Sequence, residues 1–245
     1  MYDIFYQPET EVTGYQCDVK NHMKISAAMQ QMQQASGQHL ESLGFPYEQL
    51  LQENMVFLLS KMCIKVHRMP AVQEHIRVGT APTDTRGARF VREFVIETPK
   101  GERLLSAFSL WLLVNPHTRK ILRPQSFPHA LPCRPSLVGN AIGDTEMPKP
   151  FAAAEQLCTE IAIRYSHIDC NNHVNNSVYG DFVCDVLPYT ELTGKRLDIL
   201  VLSYHNEAKW GDSLTVTTGK LCGSSYYICG KKQAAPCFEA LVQLC

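Results

Sequence analysis

The segment Asp169-Cys170-Asn171-Asn172-His173-Val174-Asn175-Asn176 places a carboxylate, several carboxamides and an imidazole within a few residues of one another. Asp169, Asn171 and His173 occupy alternate positions, so an extended or turn-like backbone would present all three side chains on one face. That face would form a single polar cluster. A second interpretation is a turn in which the Asn and Asp side chains bond their own backbone and His173 has a structural role.

A helix is predicted directly after this segment. Its signal is a set of apolar residues at helical spacing: Val178, Phe182, Val183, Val186 and Leu187. Asn175 and Asn176 are suitable capping residues, so we expect the helix to begin near one of them. The free backbone N–H groups and the positive dipole end at that position would stabilise a developing oxyanion.

A second version of the segment occurs near the N-terminus, at Asp18-Val19-Lys20-Asn21-His22-Met23-Lys24-Ile25-Ser26. A shift of 151 residues aligns its Asp, Asn, His and Ser with those of the first segment. Further along, a shift of 138 residues aligns His67 with His205 and Glu74 with Asp212. Two copies of one structural unit are the simplest explanation.

Both copies show the same order of predicted elements. In the first, strand material over residues 3–17 precedes a long helix from Ile25 to Leu43, which Gly44 ends. A short helix over 47–53 and strands over 56–66, 74–79, 88–97 and 103–114 follow. In the second copy, strands over 160–165 and 197–205 flank the polar segment and its helix. An antiparallel sheet covered on one face by a helix is a stable arrangement, so we predict an α+β fold.

Prolines between residues 124 and 150 interrupt any regular element. We therefore expect an N-terminal unit over residues 1–130, a linker over 131–150 and a C-terminal unit over 151–245.

Composition excludes several classes of function. The net charge is -1, and the chain has neither a basic run nor a stretch of 18 apolar residues. These features argue against nucleic-acid binding and membrane insertion. The first residues lack the basic and apolar regions of a secretory signal, and the ten cysteines include no Cys-x-x-Cys pair, so we expect a cytoplasmic protein. No metal or redox cofactor is implied.

The two copies differ in the groups that carry chemistry. Asn171 corresponds to Lys20, and Glu207 corresponds to Met69. A reaction needs only one equipped site, so Asp169, Asn171, His173 and Glu207 form the candidate catalytic set: a positioning carboxylate, an amide, a polarising group and a general base. The alternative for Glu207 is a solvated strand end paired with Lys209.

Three blocks of the chain resemble acyl-ACP thioesterases of plants and bacteria. They are the Asp-x-Asn-x-His-Val-Asn-Asn string at 169–176, the segment around Glu207, and Ser109-Leu110-Trp111 through Asn115-Pro116-His117-Thr118-Arg119. The resemblance spans almost the whole chain. It implies two tandem hot-dog units, each a long helix wrapped by an antiparallel sheet. It also implies catalysis in the C-terminal unit by the four residues named above, and an acyl chain housed in the N-terminal unit.

Cysteine chemistry is not expected. Plant members often have a Cys after the glutamate, where this chain has Ala208, so no acyl-cysteine is expected at that position. Cys170 would point away from the polar face of an extended segment, which favours a buried apolar role.

Small and adaptable apolar residues of the first helix and the following strand are candidates for the acyl pocket, with plain core packing as the alternative. They are Ala28, Met29, Met32, Ala35, Val56, Leu58 and Met62.

The expected function is hydrolysis of a fatty acyl thioester carried by the phosphopantetheine arm of acyl carrier protein. In the expected mechanism Glu207 and Asn171 hold and activate water, His173 and backbone N–H groups polarise the carbonyl, and Asp169 fixes the loop. An acyl-CoA thioesterase and a non-catalytic acyl-binding regulator are alternatives. A dehydratase of the same fold would be expected to divide its His and carboxylate between the copies. A homodimer is left open.

Overall fold

The described residues form one eleven-stranded antiparallel sheet and four α-helices that accompany it. The computed structural model describes residues 4–127, 131, 133–142, 147 and 156–245. The helices are α1 (Ile25–Ser42), α2 (Tyr47–Gln52), α3 (Val178–Asp185) and α4 (Tyr189–Gly194). The strands are β1 (Phe5–Tyr6), β2 (Thr10–Glu11), β3 (Val56–Val66), β4 (His75–Arg86), β5 (Arg89–Glu97), β6 (Arg103–Val114), β7 (Gln156–Ala162), β8 (Leu197–Tyr204), β9 (Ser213–Lys220), β10 (Ser225–Lys232) and β11 (Ala235–Leu244).

The two halves of the sheet join edge to edge at β3 and β8. The strand order is β1, β4, β5, β6, β3, β8, β11, β10, β9, β7, and β2 pairs with β4. At the junction Cys63 lies opposite Val201. These two residues are also related by the 138-residue shift, so the approximate two-fold axis of the repeat passes between them.

Backbone hydrogen bonds repeat with the shifts predicted from the sequence. The Met23 N–H donates to the Pro70 carbonyl at 2.8 Å, and the Val174 N–H donates to the Ala208 carbonyl at 2.8 Å. Donors are related by the 151-residue shift and acceptors by the 138-residue shift. The two polar segments therefore occupy equivalent places in two copies of one unit.

The main apolar core lies between the sheet and helices α1 and α3. It includes Met32 and Ile64 from the first unit and Phe182 and Leu202 from the second. The two helices contact each other directly, because the Ser26 hydroxyl donates to an Asp181 carboxylate oxygen at 2.5 Å. The units thus share one core, which fixes the second unit's polar segment relative to the first unit. Within the described residues, no helix has the length and apolar character required to cross a membrane.

The segment after β6 returns across the opposite face of the sheet. Glu93 accepts hydrogen bonds there from the Ser136 hydroxyl at 2.9 Å and from the Val138 N–H at 3.1 Å. Ile142 packs on the cluster at the sheet junction. Residues 132, 143–146 and 148–150 of the predicted linker lie outside the described residues, so its bounds stay a prediction.

Several element bounds differ from those predicted. Strand β4 continues to Arg86 because a register shift between Pro82 and Asp84 accommodates the proline. Helix α3 begins at Val178 rather than near Asn175, because Asn175 Oδ1 takes the Ser177 N–H in a turn before the helix. It has only eight residues, much shorter than α1. Residues 4–17 form two-residue strands instead of one long strand.

Candidate active site

A cavity of about 1060 Å³ lies between the two units. The second unit contributes all four predicted catalytic residues to its lining: Asp169, Asn171, His173 and Glu207. The first unit contributes parts of α1, α2, β3, β5 and β6. The sequence-based expectation that these four residues lie together agrees with this geometry, although their catalytic roles remain proposals.

Asp169 organises the polar segment from within. One carboxylate oxygen accepts the Asn171 N–H at 2.8 Å, and the other accepts the Asn175 amide at 3.4 Å. In the first unit, Asp18 accepts the Lys20 N–H at 2.8 Å in the same way. The shared aspartate therefore builds the turn in both copies, as the structural interpretation predicted, and only the turn's outward groups distinguish the copies.

Asn171 reaches across to the first unit. Its Oδ1 accepts a hydrogen bond from the Tyr47 hydroxyl at 2.8 Å. Tyr47 is the first residue of α2. In the described part of the chain Asn171 Nδ2 has no hydrogen-bond partner, so it is available to a ligand in the cavity.

His173 lies with its Nδ1 3.3 Å from the Val174 carbonyl oxygen and 3.7 Å from an Asp169 carboxylate oxygen. Both neighbours only accept hydrogen bonds, so Nδ1 carries the proton in the neutral ring. Nε2 is then an acceptor, and it becomes a donor only in the imidazolium form.

Glu207 is held by Arg119 in a two-point ion pair. The guanidinium donates to the two carboxylate oxygens at 2.6 and 3.1 Å. This contact, together with smaller contributions from His173 and Lys209, holds the pKa of Glu207 below its usual value, although burial opposes it. The predicted alternative pairing with Lys209 is wrong, because Arg119 is the direct partner.

The start of α3 offers fewer free N–H groups than predicted. Asn175 takes the Ser177 N–H through its side chain and the Val178 N–H through its carbonyl. Among the described residues the Asn176 N–H has no acceptor, and Asn176 lines the cavity. The Asn176 N–H, two residues before the helix, is therefore one backbone donor available to an oxyanion.

The seven candidate acyl-binding residues separate into three groups. Val56 and Leu58 line the large cavity. Met29, Met32 and Met62 line a void of about 20 Å³ that shares lining residues with the cavity, among them Leu59 and Trp111. Ala28 and Ala35 are fully buried in the core and line neither space. Apolar cavity walls that the sequence did not single out come from Leu50, Phe57 and Phe90.

The expected burial of Cys170 is wrong. Cys170 is exposed and lines the cavity beside the polar cluster. The reason is that residues 169–172 form a tight turn, with Asn172 at a φ of 62°, so side chains do not alternate as in a strand. Ala208 is fully buried.

Sequence reasoning missed two residues of the first unit, Tyr47 and Arg119. Arg119 belongs to a block that resembles known thioesterases, but nothing in that block indicates its partner. Tyr47 had one available signal, because a Pro-Tyr pair starts a short helix in both copies, at residues 46–47 and 188–189.

Comparisons with known proteins agree with the geometry. The family model for the acyl-ACP thioesterase N-terminal domain matches residues 3–125, and the model for the C-terminal domain matches residues 152–235. A chloroplastic acyl-[acyl-carrier-protein] hydrolase, FATB2, from Cuphea viscosissima is 23% identical over 83% of this chain and 52% of its own length. A chloroplastic palmitoyl-acyl carrier protein thioesterase from Gossypium hirsutum is 22% identical over 83% of this chain and 52% of its own. The chain thus spans about half the length of these curated relatives.

Solved structures share the fold. An acyl-ACP thioesterase from Bacteroides thetaiotaomicron has a TM-score of 0.86 at 20% identity, covering 98% of this chain and 97% of that one. A 12:0-ACP thioesterase from Umbellularia californica has a TM-score of 0.81 at 19% identity, covering 99% and 97%. The predicted α+β fold with two hot-dog units is confirmed by this likeness. With both domain models matched in order along most of its length, the chain belongs to the acyl-ACP thioesterase family.

Proposed function

We propose that this protein hydrolyses the thioester of a fatty acyl group carried on acyl carrier protein, releasing the free fatty acid and the carrier thiol. The observation that carries the proposal is the convergence of Asp169, Asn171, His173 and Glu207 on one cavity in a chain of this family. The first unit lacks two of these groups, because Lys20 occupies the position that corresponds to Asn171 and Met69 the position that corresponds to Glu207.

The cavity gives the acyl chain and the thioester separate surroundings. The first unit contributes apolar wall residues, including Leu58 and Phe90, and the second unit contributes the four candidate catalytic residues. An alkyl chain gains about 0.8 kcal/mol for each methylene it buries, so the apolar walls favour a long acyl group. The thioester carbon then lies beside the polar cluster.

Water is the nucleophile in this proposal. Glu207 takes a proton as the water oxygen bonds to the thioester carbon, and Asn171 Nδ2 holds the water or the developing oxyanion. The Asn176 N–H and protonated His173 donate to the oxyanion. When the carbon–sulfur bond breaks, the sulfur takes the proton back from Glu207, which returns to its ionised form.

The ionised form of Glu207 that the mechanism needs predicts the acid side of the pH profile. Arg119 lowers the pKa of Glu207, so the ionised form persists to pH values below the usual range for a glutamate. Activity is lost as the pH falls through that pKa. Initial rates should therefore show an acid limb, and a Glu207→Gln variant should lack this limb along with most of its turnover.

The test is hydrolysis of a chain-length series of acyl-ACP and matching acyl-CoA substrates by the purified protein. The proposal expects release of free thiol and fatty acid, with higher kcat/KM on the ACP series. Equal or higher kcat/KM on the CoA series would assign the other carrier. Saturable acyl-ACP binding without thiol release would identify a binding protein instead of an enzyme.

A further inference from the structure

The catalytic residues proposed above all belong to the second unit, yet two of them are held by side chains of the first. Tyr47 bonds Asn171 across 124 residues of sequence, and Arg119 bonds Glu207 across 88. We infer that Tyr47 and Arg119 are positioning residues for the reaction: Tyr47 orients the Asn171 carboxamide, and Arg119 orients the Glu207 carboxylate. This inference rests on the proposed hydrolysis.

The Tyr47 contact holds one end of the Asn171 amide. The Tyr47 hydroxyl donates to Oδ1, and Nδ2 has no hydrogen-bond partner among the described residues. Without Tyr47 the amide can rotate and present its oxygen to the substrate, where an acceptor repels the developing oxyanion. The contact is therefore worth more to catalysis than to folding.

The Arg119 contact has the geometry of a clamp. Two guanidinium nitrogens meet the two carboxylate oxygens, an arrangement that fixes the carboxylate plane as a single ammonium could not. The Arg119 and Glu207 side chains are 63% and 28% exposed, and an ion pair this exposed adds little to folding stability. Stability alone does not explain the pair.

The turn that carries Arg119 is held by side-chain hydrogen bonds and contains a left-handed residue. Asn115 Oδ1 accepts the N–H groups of His117 and Thr118, and Arg119 has a φ of 59°. Residues other than glycine avoid this left-handed region, so the backbone conformation carries a cost that neighbouring contacts must offset. Its effect is to place the guanidinium at Glu207.

The polar segment of the first unit makes a corresponding contact with the second unit, but with a residue that has no proposed catalytic role. Lys20, at the place of Asn171, donates its ammonium to the carbonyls of Leu192 and Lys195 at 2.6 and 2.8 Å, at the end of α4. Each segment thus contacts the short second helix of the opposite unit. The Lys20 ammonium bonds backbone carbonyls of the second unit. The Tyr47 hydroxyl bonds only Oδ1 of Asn171, so the amide N–H groups of Asn171 stay free among the described residues.

The experiment compares Tyr47→Phe, Arg119→Ala and Arg119→Lys with the wild type on acyl-ACP. Controls are Tyr189→Phe on α4, the matching helix of the second unit, and Lys120→Ala, which removes an adjacent exposed charge. We expect Tyr47→Phe to lower kcat about tenfold and Arg119→Ala about 10- to 100-fold with KM little changed, as for misplaced catalytic groups. Arg119→Lys should recover only part of the loss, and neither control should lower kcat.

The pH profile separates positioning from a purely structural role. The charged or titratable groups around Glu207 are Arg119, His173, Lys209 and Tyr179. Removing the Arg119 charge raises the Glu207 pKa, so the acid limb of activity should move to higher pH in Arg119→Ala and stay in place in Lys120→Ala. Wild-type kcat and an unmoved acid limb in folded Tyr47→Phe and Arg119→Ala would overturn the inference.

A separate measurement distinguishes failure of this inference from failure of the proposed function. The Glu207 carboxyl carbon can be titrated by 13C NMR without substrate, with Glu207→Gln assigning the signal. If the wild type hydrolyses no thioester, the function fails, and with it the catalytic role of both residues. An upward shift of the titration in Arg119→Ala would then still establish the clamp, whereas an unchanged titration would reject it.

Discussion

At the scale of single residues, the polar groups of the site differ in whether their hydrogen bonds are made within the protein or are open to a ligand. Asp169 uses both carboxylate oxygens for hydrogen bonds within its own turn. Asn171 Nδ2 and the Asn176 N–H have no partner among the described residues. The turn uses the aspartate in both copies, as Asp18 and as Asp169, whereas it does not use the side chain of Asn171.

Cys170 is the residue that most directly challenges water attack, because it is exposed in the cavity beside the cluster. We expect no acyl-enzyme: Cys170→Ser should keep most of the wild-type turnover, since the proposed steps do not use its sulfur. Mass spectrometry of protein quenched during turnover should show no acyl adduct. An adduct on Cys170 that decays at the rate of turnover would replace water attack with covalent catalysis.

At the scale of elements, the second unit's sheet depends on a close contact between neighbouring strands. Gly230 of β10 lies opposite Phe238 of β11, and a Cβ on Gly230 would stand 2.6 Å from Cδ1 of that buried ring. We expect Gly230→Ala to lower the free energy of unfolding by about 1–3 kcal/mol, the usual cost of overpacking a core. Urea denaturation measures the change.

Gly194→Ala is the matched control, because a Cβ there meets nothing within 4 Å. It lies at the end of α4, where alanine favours the helix, so its unfolding midpoint should stay near that of the wild type or rise slightly. Equal midpoints for both variants would mean that β10 and β11 can separate without cost at this contact.

At the scale of the whole molecule, one cavity joins apolar wall residues of the first unit, among them Leu58 and Phe90, to the candidate catalytic residues of the second. We expect Leu58→Trp to shift the preferred substrate towards shorter acyl groups, because the larger side chain occupies part of the cavity. Each excluded methylene costs about 0.8 kcal/mol, enough to change selectivity several-fold. Rates across a chain-length series measure the shift.

Ala35→Val is the control for this experiment, since Ala35 is buried in the core and does not line the cavity. It should lower the melting temperature and leave the chain-length profile as it is. A shifted profile in Ala35→Val together with an unchanged profile in Leu58→Trp would move the acyl pocket to the core of α1.

The sequence was most informative where contacts are repeated and least informative where they cross between units. The two shifts predicted a repeated unit, and the equivalent hydrogen bonds at Met23 and Val174 agree with it, because a repeat keeps what the fold requires. Tyr47 and Arg119 could not be found in this way, because their partners are brought close only when the units pack. The position of Cys170 was mispredicted because a turn with a left-handed Asn172 does not alternate its side chains.

The central claim, that the second unit's polar set carries out thioester hydrolysis, is tested most directly by kcat/KM on acyl-ACP for matched variants of the two copies. Glu207→Gln and Asn171→Ala should each lower it by about two to four powers of ten, the range for losing a catalytic base or an oxyanion donor. His22→Ala, at the place of His173 in the first copy, should lower thermal stability and keep turnover. Loss of turnover in a folded His22→Ala variant, with turnover retained in Glu207→Gln, would contradict the account.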